Sequence, residues 1–132
     1  MEIPAVSTPI VCDMTDAPDT GEQRLAEYRR LFTDALAGRE RTAEGIRFRF
    51  RAAPGVEAWV RDLAAREKAC CAFYGYTVTA VGDEVHWDCA VPDDDTARAV
   101  LDEFYALPDR LDVTYDGLRE RATDLGLEII SG

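Results

Sequence analysis

Ile46-Arg47-Phe48-Arg49-Phe50-Arg51 is the stretch that decides the fold. Apolar and cationic residues alternate with a period of two, so a strand here lays Ile46, Phe48 and Phe50 on a core and turns the arginines outward. A strand with one wet face belongs to an antiparallel sheet covered on the other. Tyr74–Val81 and Glu84–Val91 are β-rich runs joined by Gly82-Asp83, which reads as a hairpin. Val85, Trp87, Cys89 and Val91 share one face of its second strand. Between the first strand and the hairpin, Pro54 suits the first position of a helix that Gly75 ends. Val56, Trp59, Val60, Leu63, Glu67, Cys70 and Cys71 fall on one side of it, which places the cysteines in its C-terminal turn.

Upstream, Thr20 and Gln23 have the spacing of a capping box, and Leu25, Tyr28, Phe32, Ala35 and Leu36 recur at helical spacing up to Gly38. Arg39–Gly45 reads as a polar connector. Downstream, Asp93–Asp95 places negative charge at the start of a helix containing Ala97, Val100, Leu101, Phe104 and Tyr105, closed by Pro108. The fold class expected is α+β: a small, mostly antiparallel sheet with helices on one face, in the order α-β-α-β-β-α with a C-terminal extension. Residues 1–132 read as a single domain. Within it, 1–19 is a partly extended N-terminal segment whose Pro9-Ile10-Val11-Cys12 suits an edge strand. Residues 109–132 form the extension, with a last helix ending near Gly126 and a short extended end.

The chain of 132 residues is 47% hydrophobic, which is ample for one core, and its formal net charge of −11 repels polyanions. Nucleic acid and anionic membrane are therefore not expected partners. No stretch reaches the roughly 18 uninterrupted apolar residues of a span, and no basic region precedes an apolar run at the N-terminus. A cytoplasmic protein is expected. Cys12, Cys70, Cys71 and Cys89 are too few and too unevenly spaced for a disulfide framework, so reduced thiols are expected. The adjacent Cys70 and Cys71 are not expected to bridge each other, since so small a ring strains the peptide between them.

Glu67-Lys68-Ala69-Cys70-Cys71-Ala72-Phe73 is the local sequence that carries chemistry, because positions i, i+3 and i+4 of a helix are neighbours. A carboxylate and two thiols converge there, and a third sulfur from Cys12 would complete a trigonal site for a soft ion: Zn(II), Cu(I), Hg(II) or As(III). The carbonyl end of the helix and Glu67 both disfavour a free thiolate, with only Arg66 and Lys68 as nearby cations, whereas a bound cation compensates both. The plainer account is that Cys70 and Cys71 are small core hydrophobes and that Glu67 is solvated or paired with Arg66 or Lys68. Cys89, alternating with Val85, Trp87 and Val91, reads as core. His86 with Glu84 and Asp88 reads as a solvated polar row, facing a charge row of Arg47, Arg49 and Arg51. Asp93-Asp94-Asp95 reads as a helix cap.

Val11-Cys12-Asp13-Met14, Arg24-Leu25-Ala26-Glu27-Tyr28, Leu63 and Glu67-x-x-Cys70-Cys71-x-Phe73 together resemble small, poorly characterised actinobacterial proteins with an N-terminal Cys and a Glu-x-x-Cys-Cys-x-Phe helix end. Some of those are labelled by association with mercury-type, metal-responsive regulators. The similarity spans roughly residues 10–107, with Ala72 where proline is expected. It implies one shared site of Cys12, Glu67, Cys70 and Cys71 for a thiophilic metal.

The leading expectation is thus a small protein that binds a soft metal or metalloid through Cys70 and Cys71, with Cys12 as third ligand and Glu67 in support. One alternative is an enzyme acting on a small molecule beside Tyr74, Tyr76 and Trp87 with a Cys nucleophile or a Cys/Glu/His-bound metal. The other is an interaction module with buried structural thiols. The partner expected is a metal ion or small molecule, and a homodimer stays open.

Overall fold

The computed structural model describes residues 1–130. In chain order it runs β1 (Val11–Asp13), α1 (Gly21–Ala35), β2 (Leu36–Arg41), β3 (Gly45–Arg51), α2 (Val56–Cys70), β4 (Gly75–Val81), β5 (Glu84–Ala90), α3 (Asp95–Ala106), a 3-10 turn at Leu107–Asp109, α4 (Tyr115–Asp124) and β6 (Glu128–Ile130). The fold is α+β. Its main sheet has the order β2-β3-β5-β4 with every neighbouring pair antiparallel, and β1 and β6 form a separate parallel pair.

Alternation in β3 and β5 does what the period of two demands. Ile46, Phe48, Phe50, Val85, Trp87 and Cys89 lose all exposure to solvent. The helices supply the covering layer, with α1 setting Phe32 against Phe48 (ring centroids 5.3 Å apart) and stacking Tyr28 on Trp87 (6.3 Å). From α3, Phe104 meets Phe48 edge-on at 5.0 Å, and α2 contributes the buried Val60 and Leu63. On the outer face the expected charge row forms. Arg47 pairs with Asp88 directly opposite, Arg49 pairs with Glu84 and Glu40, and His86 Nε2 lies 3.0 Å from Glu84. These half-exposed pairs set register more than stability, at about 0–1 kcal/mol each.

The first helix stops at Ala35 and not near Gly38, because Leu36–Arg41 is the strand β2, paired with β3; of the expected connector Arg39–Gly45 only 42–44 is a turn, between β2 and the start of β3 at Gly45. The stabilising partners of β2 lie on α3, far away in sequence. Arg39 donates to the Tyr105 carbonyl, Arg39 and Arg41 both lie over the Tyr105 ring, and Arg41 pairs with Asp102. Pro54 is not the first helical residue either. Gly55 takes a left-handed φ of 85° as the N-cap and α2 begins at Val56, so the proline belongs to the turn before it. In the hairpin loop Gly82 takes φ 59°, which suits a two-residue connection.

β1 and β6 pair with each other and not with the main sheet. In the parallel β1–β6 pair Cys12 stands opposite Ile129, and Arg29 of α1 straps the following segment down by donating to the carbonyls of Leu111 and Val113. The Tyr115 ring lies on Gly21, where an added Cβ would come within 2.0 Å of it, so only glycine lets α4 sit this close to α1. Residues 131 and 132 of the expected extension lie outside the described residues. Among the described residues no helix is long and apolar enough to cross a membrane.

The capping box of α1 forms as expected: the Gln23 N–H donates to Thr20 Oγ1 at 3.2 Å, and Gln23 Oε1 accepts from the Thr20 N–H at 2.9 Å. Thr20→Ala is expected to lose about 1 kcal/mol in urea unfolding. An unchanged midpoint would mean that packing alone holds this end of α1.

Candidate thiol site

Cys70 is the last residue of α2 and Cys71 is its C-cap, with its N–H donating to the Glu67 carbonyl at 2.7 Å. Lys68 reaches back to close the helix end, donating to the carbonyls of Ala72 and Tyr74. It is therefore occupied with backbone and is not a partner for Glu67. β1 then delivers Cys12, and Cys12 and Cys71 form a disulfide whose Cα atoms are 4.4 Å apart across 59 residues of sequence. The expectation of four reduced thiols is corrected here, because cysteine spacing carries no information about two chain ends meeting beside α2. Cys70 and Cys89 are free and buried. Cys89 sits in the sheet core, as its alternation requires, and Cys70 and Cys71 do not bridge each other.

Glu67 is neither solvated nor paired with its helix neighbours, which corrects the plainer account of that residue. Its side chain is 15% exposed, and Oε1 accepts from Arg24 Nη1 at 2.7 Å. The same guanidinium grips Asp19 through Nε and Nη2, both at 2.7 Å, and is itself only 5% exposed. Alongside, Arg66 pairs with Glu27 and Asp19, and Trp59 Nε1 donates to Glu27. Burial works against the Arg24 charge, but Asp19 and Glu67 more than offset it. The Arg24 hydrogen bond holds Asp19 below the ordinary carboxylate range, as the Arg66 hydrogen bond does for Glu27. Burial pushes Glu67 upward against the pull of Arg24, and pushes the Cys70 thiol upward in the same way.

Arg24, Asp19 and Tyr28 are members of this site that the sequence reading passed over. One signal was available. Positions 24, 28, 31 and 35 share a helical stripe, so Arg24 is a charged residue on the apolar face of α1, a position that requires a buried partner.

Cys12, Glu67, Cys70 and Cys71 all line one cavity of about 170 Å³. They meet there as a disulfide, a free buried thiol and an ion-paired carboxylate, with Glu67 Oε2 3.9 Å from Cys71 Sγ. Among the described residues no group of three or more His, Cys, Asp or Glu side chains is arranged to hold a metal ion. His86 and its acidic neighbours lie on the outer face of the sheet, bound up in the charge row. Asp94 caps α3 through the Ala97 N–H, while Asp93 and Asp95 pair with Arg98. What the arrangement offers chemically is thiol–disulfide exchange and, once reduced, a pair of adjacent thiols beside a third. Comparison of the chain with protein-family models, with curated proteins and with solved structures finds no match in any of the three.

Proposed function

We propose that this is a small binding protein for a soft metal or metalloid ion, active when the Cys12–Cys71 disulfide is reduced. The observation that carries the reading is the meeting of Cys12 and Cys71 from 59 residues apart in a cavity that Cys70 also lines. A dithiol supplies two electrons and two protons and is itself oxidised to a disulfide, or a phosphine supplies two electrons and becomes its oxide while water supplies the two protons; either converts the disulfide to two thiols, whose sulfurs start out adjacent. A two-coordinate ion such as Hg(II) or Cu(I) asks for two thiolates and releases two protons on binding. As(III) asks for a third sulfur, for which Cys70, in the lining of the same cavity, is the candidate. Zn(II) fits less well, because its usual fourth ligand would be Glu67 and that carboxylate is engaged by Arg24. Burial pushes the Cys70 thiol up, and the Arg24 charge offsets part of that rise. Some of the proteins that the chain resembles are labelled by association with metal-responsive regulators, which is in keeping with this reading.

The test is an anaerobic titration of fully reduced protein with Hg(II), Cu(I), As(III) and Zn(II) against excess glutathione. One equivalent of Hg(II) or Cu(I) is expected per chain, lost in Cys12→Ser and in Cys71→Ser. Cys70→Ser is expected to weaken As(III) more than Hg(II). Uptake no better than glutathione's, or equal uptake by the Cys12→Ser/Cys71→Ser double variant, would remove the proposal.

A further inference from the structure

The cavity beside the thiols has features that a bare ion does not need. Its volume of about 170 Å³ compares with the roughly 150 Å³ of a protein cavity that holds benzene. Aromatic residues Tyr28, Tyr76 and Phe104 line it together with Leu118, Leu125 and Leu127 from α4 and the segment after it. Four tyrosines line it, Tyr28, Tyr74, Tyr76 and Tyr115, and of these Tyr28 and Tyr115 have hydroxyls that are buried with no hydrogen-bond partner in the protein. Tyr28 is the more enclosed, at 5% exposure, with its ring held between Trp87, Phe32 and Phe104. Its hydroxyl lies on the Glu67 side and favours that carboxylate slightly, yet makes no bond of normal geometry to it. Buried hydroxyls are normally paired, and a pocket with an apolar body and a few convergent polar groups is the usual form of a small-molecule site.

Charge narrows the ligand class further. Two arginines line the cavity: the Nε, Nη1 and Nη2 of Arg24 all donate to Asp19 or Glu67, and Arg121 pairs with Glu103, so an anion entering the cavity meets no arginine without a carboxylate partner. It would also face the carbonyl end of α2, which carries partial negative charge. Glu67 and Glu103, the carboxylates in the lining, are each paired with arginine, Glu67 with Arg24 and Glu103 with Arg110 and Arg121. A cation therefore gains little either.

We infer that the cavity binds a small, uncharged, single-ring molecule carrying one hydroxyl or carbonyl group, a phenol-class ligand whose polar group the Tyr28 hydroxyl recognises. This uses no thiol chemistry, so it stands or falls separately from metal uptake. Disulfide-intact protein is titrated with 4-fluorophenol, fluorobenzene and 4-fluorobenzoate as probes, followed by fluorine NMR, with Tyr28→Phe and Leu118→Trp beside the parent. Saturable binding of 4-fluorophenol is expected, with fluorobenzene weaker and 4-fluorobenzoate absent. Tyr28→Phe keeps the ring and the fold, and is expected to weaken 4-fluorophenol about tenfold while leaving fluorobenzene unchanged. Leu118→Trp fills the cavity and is expected to abolish both. No saturable shift with 4-fluorophenol, equal binding of the benzoate, or an unchanged phenol affinity in Tyr28→Phe would overturn the inference.

Discussion

Arg24→Met is expected to destabilise the protein by about 3–5 kcal/mol near neutral pH, the range for leaving a buried charge without its partner. The side chain is 5% exposed and spans two carboxylates, Asp19 and Glu67, which its loss leaves facing each other across a largely buried space. The loss is expected to depend on pH with a definite sign. Glu67 in the folded protein already titrates above its ordinary value, because burial outweighs the pull of Arg24. Between the ordinary value and the raised one, the folded state holds a proton that the unfolded state has released, so stability falls as pH rises through that window. Removing Arg24 raises Glu67 further, which widens the window upward. Asp19 acts in the opposite direction: Arg24 holds it below its ordinary value, so its contribution is present above that value and is lost as pH falls. Both effects make the gap between parent and variant largest at neutral pH and smallest near pH ~4, where carboxylates approach their ordinary titration range. Urea unfolding across that range checks this, together with Arg24→Met/Glu67→Gln, which is expected to recover part of the loss. A deficit independent of pH and not relieved by Glu67→Gln would show that Arg24 acts through packing of its stem and not through charge.

Breaking the Cys12–Cys71 disulfide is the other large perturbation. The bond closes a loop with a sequence separation of 59 residues, for which the chain-entropy relation gives about 4 kcal/mol of stabilisation. Adding a phosphine reductant to the parent is expected to lower its unfolding free energy by that amount, read as a lower urea midpoint. Cys12→Ser and Cys71→Ser should start from the shifted midpoint and ignore the reductant, whereas Cys70→Ser should respond as the parent does. The loosening should be local first, since β1 and β6 are three residues each and hold the rest of their stability through each other. Amide exchange at Val11–Asp13 and Glu128–Ile130 should therefore accelerate before the main sheet does. An unresponsive parent would mean that the two cysteines meet without the bond contributing to stability.

Much of the architecture was legible locally. The alternation from Ile46 to Arg51 predicts β3, its buried aromatics and the charge row that Asp88 and Glu84 complete, because a strand exposes its two faces in strict turn. The capping box, the Gly82-Asp83 hairpin loop and the cap at Asp94 were equally local. β2 was not, since the groups that hold Arg39 and Arg41 are carried by α3, more than sixty residues on.

The site divides in the same way. Helical spacing alone brings Glu67, Cys70 and Cys71 to one end of α2, and the position of Arg24 on the apolar stripe of α1 already demands a buried counter-charge. Which carboxylate answers Arg24, and which sulfur meets Cys71, was decided only when α1 packed against α2 and the two chain ends paired as β1 and β6. The physical reason is that spacing fixes which side chains share a face of one element, whereas partners across 43 or 59 residues are chosen by how whole elements pack.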